Sequence, residues 1–116
     1  MDSKWNSIKK EKMISIIDGK RYDTDKAELI FQYWNGKSRT DFKHRTKTLY
    51  RTKLGSWFLH HYGGPLTDMG VDGGYSESIE PMNDLDQVYN FLERSSSEPE
   101  ALKAIETYFA ERIADA

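Results

Sequence analysis

The most regular pattern in the chain is an alternation of apolar and polar residues around position 55. Two short runs, 46–52 and 56–62, are rich in aromatic and β-branched residues and flank the loop 53–55. A three-residue loop that ends in glycine is a favoured hairpin connection, because its last residue takes a positive φ angle. The pattern therefore predicts a β-hairpin that turns at Gly55.

The register of this hairpin decides which side chains share a face of the sheet, since side chains alternate between faces with period two. The predicted cross-strand pairs are Arg51 with Trp57, Tyr50 with Phe58, Leu49 with Leu59, Thr48 with His60 and Lys47 with His61. One face then collects Tyr50, Phe58, His60 and Tyr62. The other collects Leu49, Leu59 and Trp57, ringed by Lys47, Arg51 and His61. Both faces carry large apolar groups, so we expect a central hairpin with at least one covered face.

Two elements are predicted before the central hairpin. Residues 13–22 should form a first hairpin, because Asp18 and Gly19 supply a strong two-residue turn signal. Residues 25–34 should form a helix, because a capping pattern precedes apolar residues at helical spacing. Those apolar residues are Ala27, Ile30, Phe31 and Trp34.

The second half of the chain reads as a loop, a short strand and two helices. Residues 63–78 are rich in glycine and predict an irregular loop, and residues 78–82 predict an edge strand. A helix over residues 84–94 should begin after Asn83 as its N-cap, and a last helix should cover residues 98–113. Their predicted apolar stripes are Leu85, Val88, Tyr89 and Leu92, and Leu102, Ile105, Phe109 and Ile113.

These elements predict an α+β fold. We expect an antiparallel sheet of about four or five strands, with one helix between its two hairpins and two C-terminal helices that cover a face. Residues 1–12 should form a tail or a short helix, and residues 13–116 a single α+β domain. A chain of 116 residues can bury one modest core.

Composition narrows the class of protein. The chain has no cysteine, which excludes disulfides, thiolate metal sites and cysteine nucleophiles. It has no apolar run near the ~18 residues that a transmembrane helix needs, and no signal-peptide pattern. A cytoplasmic protein without membrane contact is therefore the expectation.

Charge divides the chain into two halves of opposite sign. Residues 1–62 carry a net charge of +7 and residues 63–116 a net charge of −9, although the whole chain is only −2. The basic residues are densest between Lys37 and Lys53, and the acidic residues on the predicted C-terminal helices. The halves either compensate each other within the fold or present surfaces of opposite sign to different partners.

The sequence gives little indication of a catalytic, metal-binding or phosphate-binding site. His60 and His61 are adjacent on a strand and point to opposite faces, so they cannot easily chelate one metal even with His44 nearby. Asp68, Asp72 and Glu77 match no established Ca²⁺ loop. The glycine pairs Gly63-Gly64 and Gly73-Gly74 match no phosphate-binding motif, and no serine lies in a nucleophile-elbow pattern. We therefore predict no catalytic residues, no metal and no cofactor.

Basic and aromatic residues interleave on the hairpin, a pattern typical of several single-strand nucleic-acid binders. The candidate partner-binding residues are Lys43, Arg45, Lys47, Arg51, Lys53, Trp57 and His61. The alternative interpretation is that Trp57 belongs to the core and the basic side chains form its rim. The acidic helices favour a different surface, which would dock on a basic protein. Its candidate residues are Asp84, Asp86, Glu93, Glu98, Glu100 and Glu106.

Four stretches of the chain resemble a largely uncharacterised group of small proteins from bacteria, phages and other mobile elements. They are IDGKRYDTDKAELI at 17–30, DFK at 41–43, TLYRTKLGSWFLHHYGG at 48–64 and YFAERIADA at 108–116. The pattern departs at His61 and Tyr62, where an acidic residue is expected before the double glycine. The group brings no catalytic residues to carry over.

The resemblance implies a mobile-element context, in which small proteins often bind and block a host defence complex, as anti-CRISPR proteins do. The predicted function is therefore a non-enzymatic binding protein that inhibits a host defence nuclease complex, such as a CRISPR effector, through protein–protein interaction. The alternative is a small nucleic-acid-binding or regulatory module that uses the basic aromatic hairpin face. An enzyme ranks third. The oligomeric state and the identity of the partner stay open.

Overall fold

The computed structural model of the chain describes residues 12–116. The tail or short helix expected over residues 1–12 therefore lies, except for Lys12, outside the described residues. The strands are β1 (Ile14–Ile17), β2 (Lys20–Asp23), β3 (Glu28–Trp34), β4 (Arg45–Arg51), β5 (Trp57–Gly63) and β6 (Ser76–Met82). The helices are α1 (Leu85–Glu93) and α2 (Pro99–Tyr108), and a 3-10 turn follows over Ala110–Arg112.

The strands form two antiparallel sheets. β1 and β2 pair as a two-stranded sheet, and β3, β4, β5 and β6 form a four-stranded sheet in chain order. The predicted α+β class is confirmed. The larger sheet has four strands, within the predicted four or five, but the first hairpin forms a sheet of its own instead of joining it.

The central hairpin is confirmed in its register. The predicted pairs, from Arg51 opposite Trp57 to Lys47 opposite His61, are the pairs that β4 and β5 make. The turn is the predicted three-residue loop, closed by a 2.8 Å hydrogen bond from the Thr52 N–H to the Ser56 carbonyl. Gly55 takes φ +90°, a left-handed conformation that glycine adopts without the steric cost of a Cβ. The first hairpin turns at Asp18 and Gly19 as predicted.

The helix predicted over residues 25–34 is wrong, since residues 28–34 form strand β3. The segment is rich in aromatic and branched residues that suit a strand, and it pairs along β4. A bulge between Leu29 and Phe31 breaks the alternation, so that Ile30 and Phe31 both pack on the helix side of the sheet. Because of the bulge, the apolar residues of this strand are spaced along the sequence as they would be in a helix.

The two C-terminal helices are confirmed with shifted ends. α1 is capped by Asp84 rather than Asn83, because the Asp84 carboxylate accepts a 2.9 Å hydrogen bond from the Asp86 N–H. α2 starts at Pro99, one residue after the predicted start at Glu98, and ends at Tyr108, five residues before the predicted end at Ile113. Neither helix in residues 12–116 is long and apolar enough to cross a membrane.

Both faces of the four-stranded sheet are covered. On one face, α1 and α2 pack Val88, Leu92 and Ile105 against Leu49 and Leu59. On the other face, the β1–β2 hairpin closes a smaller cluster over the central strands. Its buried members are Tyr22, Ala27, Tyr50, Phe58 and Ile79. The domain is thus a helical layer, a sheet and a hairpin layer.

The glycine-rich loop is tied to the segment that precedes β4. The Gly64 N–H donates to the His44 carbonyl at 2.9 Å, and the Leu66 N–H donates to the Phe42 carbonyl at 2.9 Å. A Cβ on Gly64 would lie 2.3 Å from the Phe42 carbonyl oxygen, so only glycine allows this approach. β6 begins at Ser76, two residues earlier than the predicted strand.

Candidate functional site

The residues predicted to bind a partner do not converge on one patch. Arg45 begins β4 and Arg51 ends it, which separates them by about 20 Å at ~3.3 Å per residue. Lys43 and Lys53 are exposed beyond opposite ends of the strand. The apolar middle of this face, at Leu49, is buried under the helices. A continuous basic and aromatic surface is therefore not formed.

Trp57 lies in the core. Its side chain is 6% exposed, and its ring centroid is 5.1 Å from that of Tyr108 in an edge-to-face contact. The Arg51 guanidinium carbon lies 5.6 Å from the Trp57 ring and 5.1 Å from the Tyr108 ring. Trp57 is therefore a core residue, and Arg51 packs at the rim of that core. The Trp57 ring is not available to stack on a base.

Arg45 and His61 belong to a chain of hydrogen bonds across the sheet. The Arg45 side chain donates to Asp68 at 2.8 Å, to the Thr46 carbonyl at 2.7 Å and to His61 Nδ1 at 2.8 Å. Because arginine only donates, Nδ1 accepts, and the proton on Nε2 is donated to Glu80 at 2.8 Å. Burial lowers the pKa of His61, which keeps the ring in this neutral form. Both residues are engaged inside the protein.

Lys47, one of the predicted partner-binding residues, faces an open cleft. The cleft lies between the sheet and α1, measures about 250 Å³ and is lined in part by Lys47, His61, Glu80, Asn90 and Arg94. Among residues 12–116 neither Lys47 nor Arg94 has a carboxylate within ion-pair distance. Sequence reasoning missed Arg94, because only the packing of α1 brings it beside the strand.

The histidines do not gather around a metal position. Buried His60 donates from Nε2 to Glu77 at 3.0 Å, and His44 Nδ1 lies 2.8 Å from the Lys37 carbonyl oxygen. Asp68 is bound by Arg45 and Glu77 by His60, so these two acidic residues have separate partners. In residues 12–116 no three or more potential ligands lie close enough to hold a metal ion.

The acidic residues of the helices lie on the side of the sheet away from the β1–β2 hairpin. Several of them have local partners. The Asp86 carboxylate accepts from Arg112 at 2.7 Å, and the Glu93 carboxylate accepts from the Tyr89 hydroxyl at 2.9 Å. Glu106 is exposed, and Glu98 and Glu100 are half-buried at the start of α2. These residues with Asp84 define the acidic helical surface.

Three apolar residues predicted to face the core are instead exposed by nearly half of their area. They are Leu85, Leu102 and Ile113. The buried face of α2 is formed by Ala101, Ala104 and Ile105, so the stripe is rotated from the predicted one. Leu102 thus lies on the outer side of α2. Its exposure is a feature that the spacing of apolar residues did not reveal.

Comparisons were made with protein-family models, with curated proteins and with solved structures, and none of the three finds a match to this chain.

Proposed function

We propose that the chain is a non-enzymatic binding protein that inhibits a host defence nuclease complex by protein–protein contact, in the manner of anti-CRISPR proteins. The surface it uses is the acidic helical surface together with Leu102. The target on the partner is a basic surface of the kind that grips nucleic acid. The resemblance to small proteins of mobile elements supplies the context for this proposal.

The observation that carries the proposal is the position of Leu102. Its side chain is 45% exposed on α2. Glu98, the N-cap of α2, precedes it by four residues, and Glu106 follows it by four within the helix. An apolar side chain flanked by charges has the layout of an interface anchor with a polar rim. Burial of a leucine in a partner stabilises a complex by about 1.5–3 kcal/mol.

Charge supports the choice of partner. Residues 84–116, which contain both helices, carry eight acidic and three basic residues, a net charge of −5, and the two helices lie together in one layer. Acidic surfaces speed the encounter with basic partners and repel nucleic acid, and both effects weaken with salt. A protein that competes with nucleic acid for a basic groove needs this combination of anchor and charge.

The experiment measures binding to purified effector–guide complexes from a host and protection of target DNA from cleavage. The wild-type chain should bind and protect. Leu102→Ala, and separately the double substitution Glu98→Lys and Glu106→Lys, should weaken both readouts at least tenfold. The control is Glu111→Lys with Asp115→Lys, which changes the net charge equally at exposed positions outside this surface.

The competing hypothesis, nucleic-acid binding through the hairpin, predicts the reverse ranking. In that case Lys47→Glu with Arg51→Glu would abolish binding to DNA, and the substitutions on α2 would have no effect. Absence of binding and protection across the effectors of the host would overturn the proposed function.

A further inference from the structure

The layer opposite the helices carries a second candidate binding surface. A groove of about 540 Å³ runs between strand β2 and the turn that joins β4 to β5. This volume falls within the range of ligand-binding pockets. All four residues of β2 line the groove, from Lys20 to Asp23. Successive strand residues point to opposite faces, so a groove that touches all four runs along the edge of the strand.

Within the described part of the chain, that edge of β2 is open. In residues 12–116 the strand has β1 as its only neighbour. Ile17 pairs with Lys20 across the two-residue turn, and Ser15 pairs with Tyr22. These are the hydrogen-bonded pairs of the hairpin, because paired residues alternate between bonded and non-bonded positions from the turn outward. The 3.0 Å bond from the Thr24 N–H to the Met13 carbonyl continues the same alternation.

The residues between the bonded pairs direct their backbone groups outward. Arg21 presents both its N–H and its carbonyl to the open edge, and Asp23 presents its N–H. The Asp23 carbonyl accepts from the Lys26 N–H at 3.2 Å. An added strand would thus meet a short row of donors and acceptors, which spans about 13 Å over the four residues of β2.

The side chains around the edge are basic with an apolar floor. Four cations line the groove: Lys20, Arg21, Lys26 and Lys53. In the described part of the chain none of them has a carboxylate within ion-pair distance. The one acidic residue that lines the groove, Asp23, uses a carboxylate oxygen to accept from the Asp25 N–H at 2.9 Å. The cations therefore define a site for negative charge.

The apolar part of the groove favours a ligand that carries an apolar side chain as well as negative charge. Ala27 and Tyr22 lie along one wall, and Leu54 projects from the β4–β5 turn with 97% of its area exposed. Tyr22 is buried against Phe58 in an edge-to-face contact at 5.5 Å, so its ring offers no stacking surface for a base. The geometry points to an acidic, extended peptide segment of a partner protein, with at least one apolar side chain, that adds to β2 as a third strand.

This inference is independent of the proposed function, because the groove and the acidic helical surface lie on opposite sides of the four-stranded sheet. The probe is a fluorescein-labelled peptide of alternating glutamate and valine, measured by fluorescence anisotropy. The control peptide replaces each glutamate by lysine. A third peptide carries N-methyl groups at alternate residues, which removes backbone donors while the charge stays the same.

Wild-type protein should bind the acidic peptide at least tenfold more tightly than either of the other peptides. The double substitution Lys20→Glu with Lys53→Glu should abolish the binding, whereas Lys37→Glu with Lys43→Glu, an equal change of charge at exposed sites, should preserve it. In nuclear magnetic resonance spectra the amides of Arg21 and Asp23 should shift on titration. The substitution Arg21→Pro removes one outward donor and one cation at an edge where proline is tolerated, and should weaken binding more than Arg21→Gln, which removes the cation alone.

Three results would overturn the inference. Equal affinity for the N-methylated peptide would show that the strand edge is not used. Tighter binding of an oligothymidine than of the acidic peptide would reassign the groove to nucleic acid. A dimer that Arg21→Pro dissociates would reassign the edge to a second copy of the chain.

Discussion

The Arg45 guanidinium lies 2.8 Å from the Asp68 carboxylate, although 23 positions separate the two residues in the chain. The pair is uneven, since the Arg45 side chain is 9% exposed and that of Asp68 is 71% exposed. Arg45 anchors the start of β4, and Asp68 lies in the glycine-rich loop. The ion pair therefore fastens that loop to the sheet.

Loss of this pair should destabilise the fold. Asp68→Asn leaves a buried cation without its counter-charge, and we expect a cost of about 1–2 kcal/mol. This is less than the ~3–5 kcal/mol of a fully buried pair, because solvent reaches Asp68. Urea unfolding at pH 7 measures the change. Asp72→Asn in the same loop is the control, and an equal loss in both variants would contradict the prediction.

The same pair should make the stability of the fold decrease at acidic pH. The hydrogen bond from Arg45 lowers the pKa of Asp68 below its usual value. A carboxyl whose pKa is lower in the folded state stabilises the protein above its unfolded pKa, and that contribution is lost as pH falls through the folded pKa. The difference in unfolding free energy between wild type and Asp68→Asn should therefore shrink as pH falls below about 4. A constant difference down to pH 2 would contradict this.

His60 should oppose folding at mildly acidic pH. Burial lowers the pKa of His60, and this effect outweighs the hydrogen bond from Nε2 to Glu77, which raises it. The unfolded chain then takes up a proton near pH 6.5 that the folded protein resists, so stability falls as pH drops through that value. His60→Gln should flatten this decline in unfolding experiments between pH 7 and pH 5. Glu77→Gln should lower the pKa of His60 further, as read from its ring proton resonances.

Tyr50 should make the stability of the fold decrease at alkaline pH. Its ring stacks on Phe58 with centroids 5.1 Å apart, and burial raises its pKa to about 12, with Asp25 adding to the effect. An acid whose pKa is raised by folding stabilises the protein fully below its unfolded pKa, and the contribution is lost between about pH 10 and pH 12. Tyr50→Phe should remove this part of the alkaline decline. Titration of all tyrosines near pH 10 in the folded protein would refute the prediction.

Two glycines of the same loop should respond differently to one substitution. A Cβ at Gly64 would lie 2.3 Å from the Phe42 carbonyl oxygen, so Gly64→Ala must displace backbone and should cost about 3 kcal/mol. Gly73 has φ +75° and open space around the Cβ position, so Gly73→Ala should cost only about 1 kcal/mol. Thermal unfolding compares the two variants. Equal losses would show that the loop does not depend on this close approach.

Local signals in the sequence were sufficient for the two hairpins and for the existence of the C-terminal helices. The turn at Asp18 and Gly19 and the loop ending at Gly55 are set by residues that adopt positive φ, and the register of β4 on β5 follows from the length of the loop. These features need no knowledge of distant residues. The class α+β follows from them.

Residues 28–34 show what the sequence alone could not decide. Their apolar spacing suits a helix, yet pairing with β4 and a bulge make them a strand. Short apolar runs are ambiguous between the two periods, and the free edge of β4 settles the choice. The helical spacing of apolar residues also continues past the true end of α2, because Phe109 leaves the helical conformation at φ −134° and still packs against Trp57.

Some properties of the candidate surfaces follow from the sequence, and others depend on the folded structure. Sequence alone determined the separation of charge into a basic and an acidic half, because charge is a property of composition. The packing of distant segments determines that Trp57 is buried, that Arg45 is bound to Asp68 and that Leu102 is exposed. It also placed β2 beside the β4–β5 turn, which are some thirty positions apart in the chain. Such neighbours depend on packing between distant segments, which local patterns of residues do not encode.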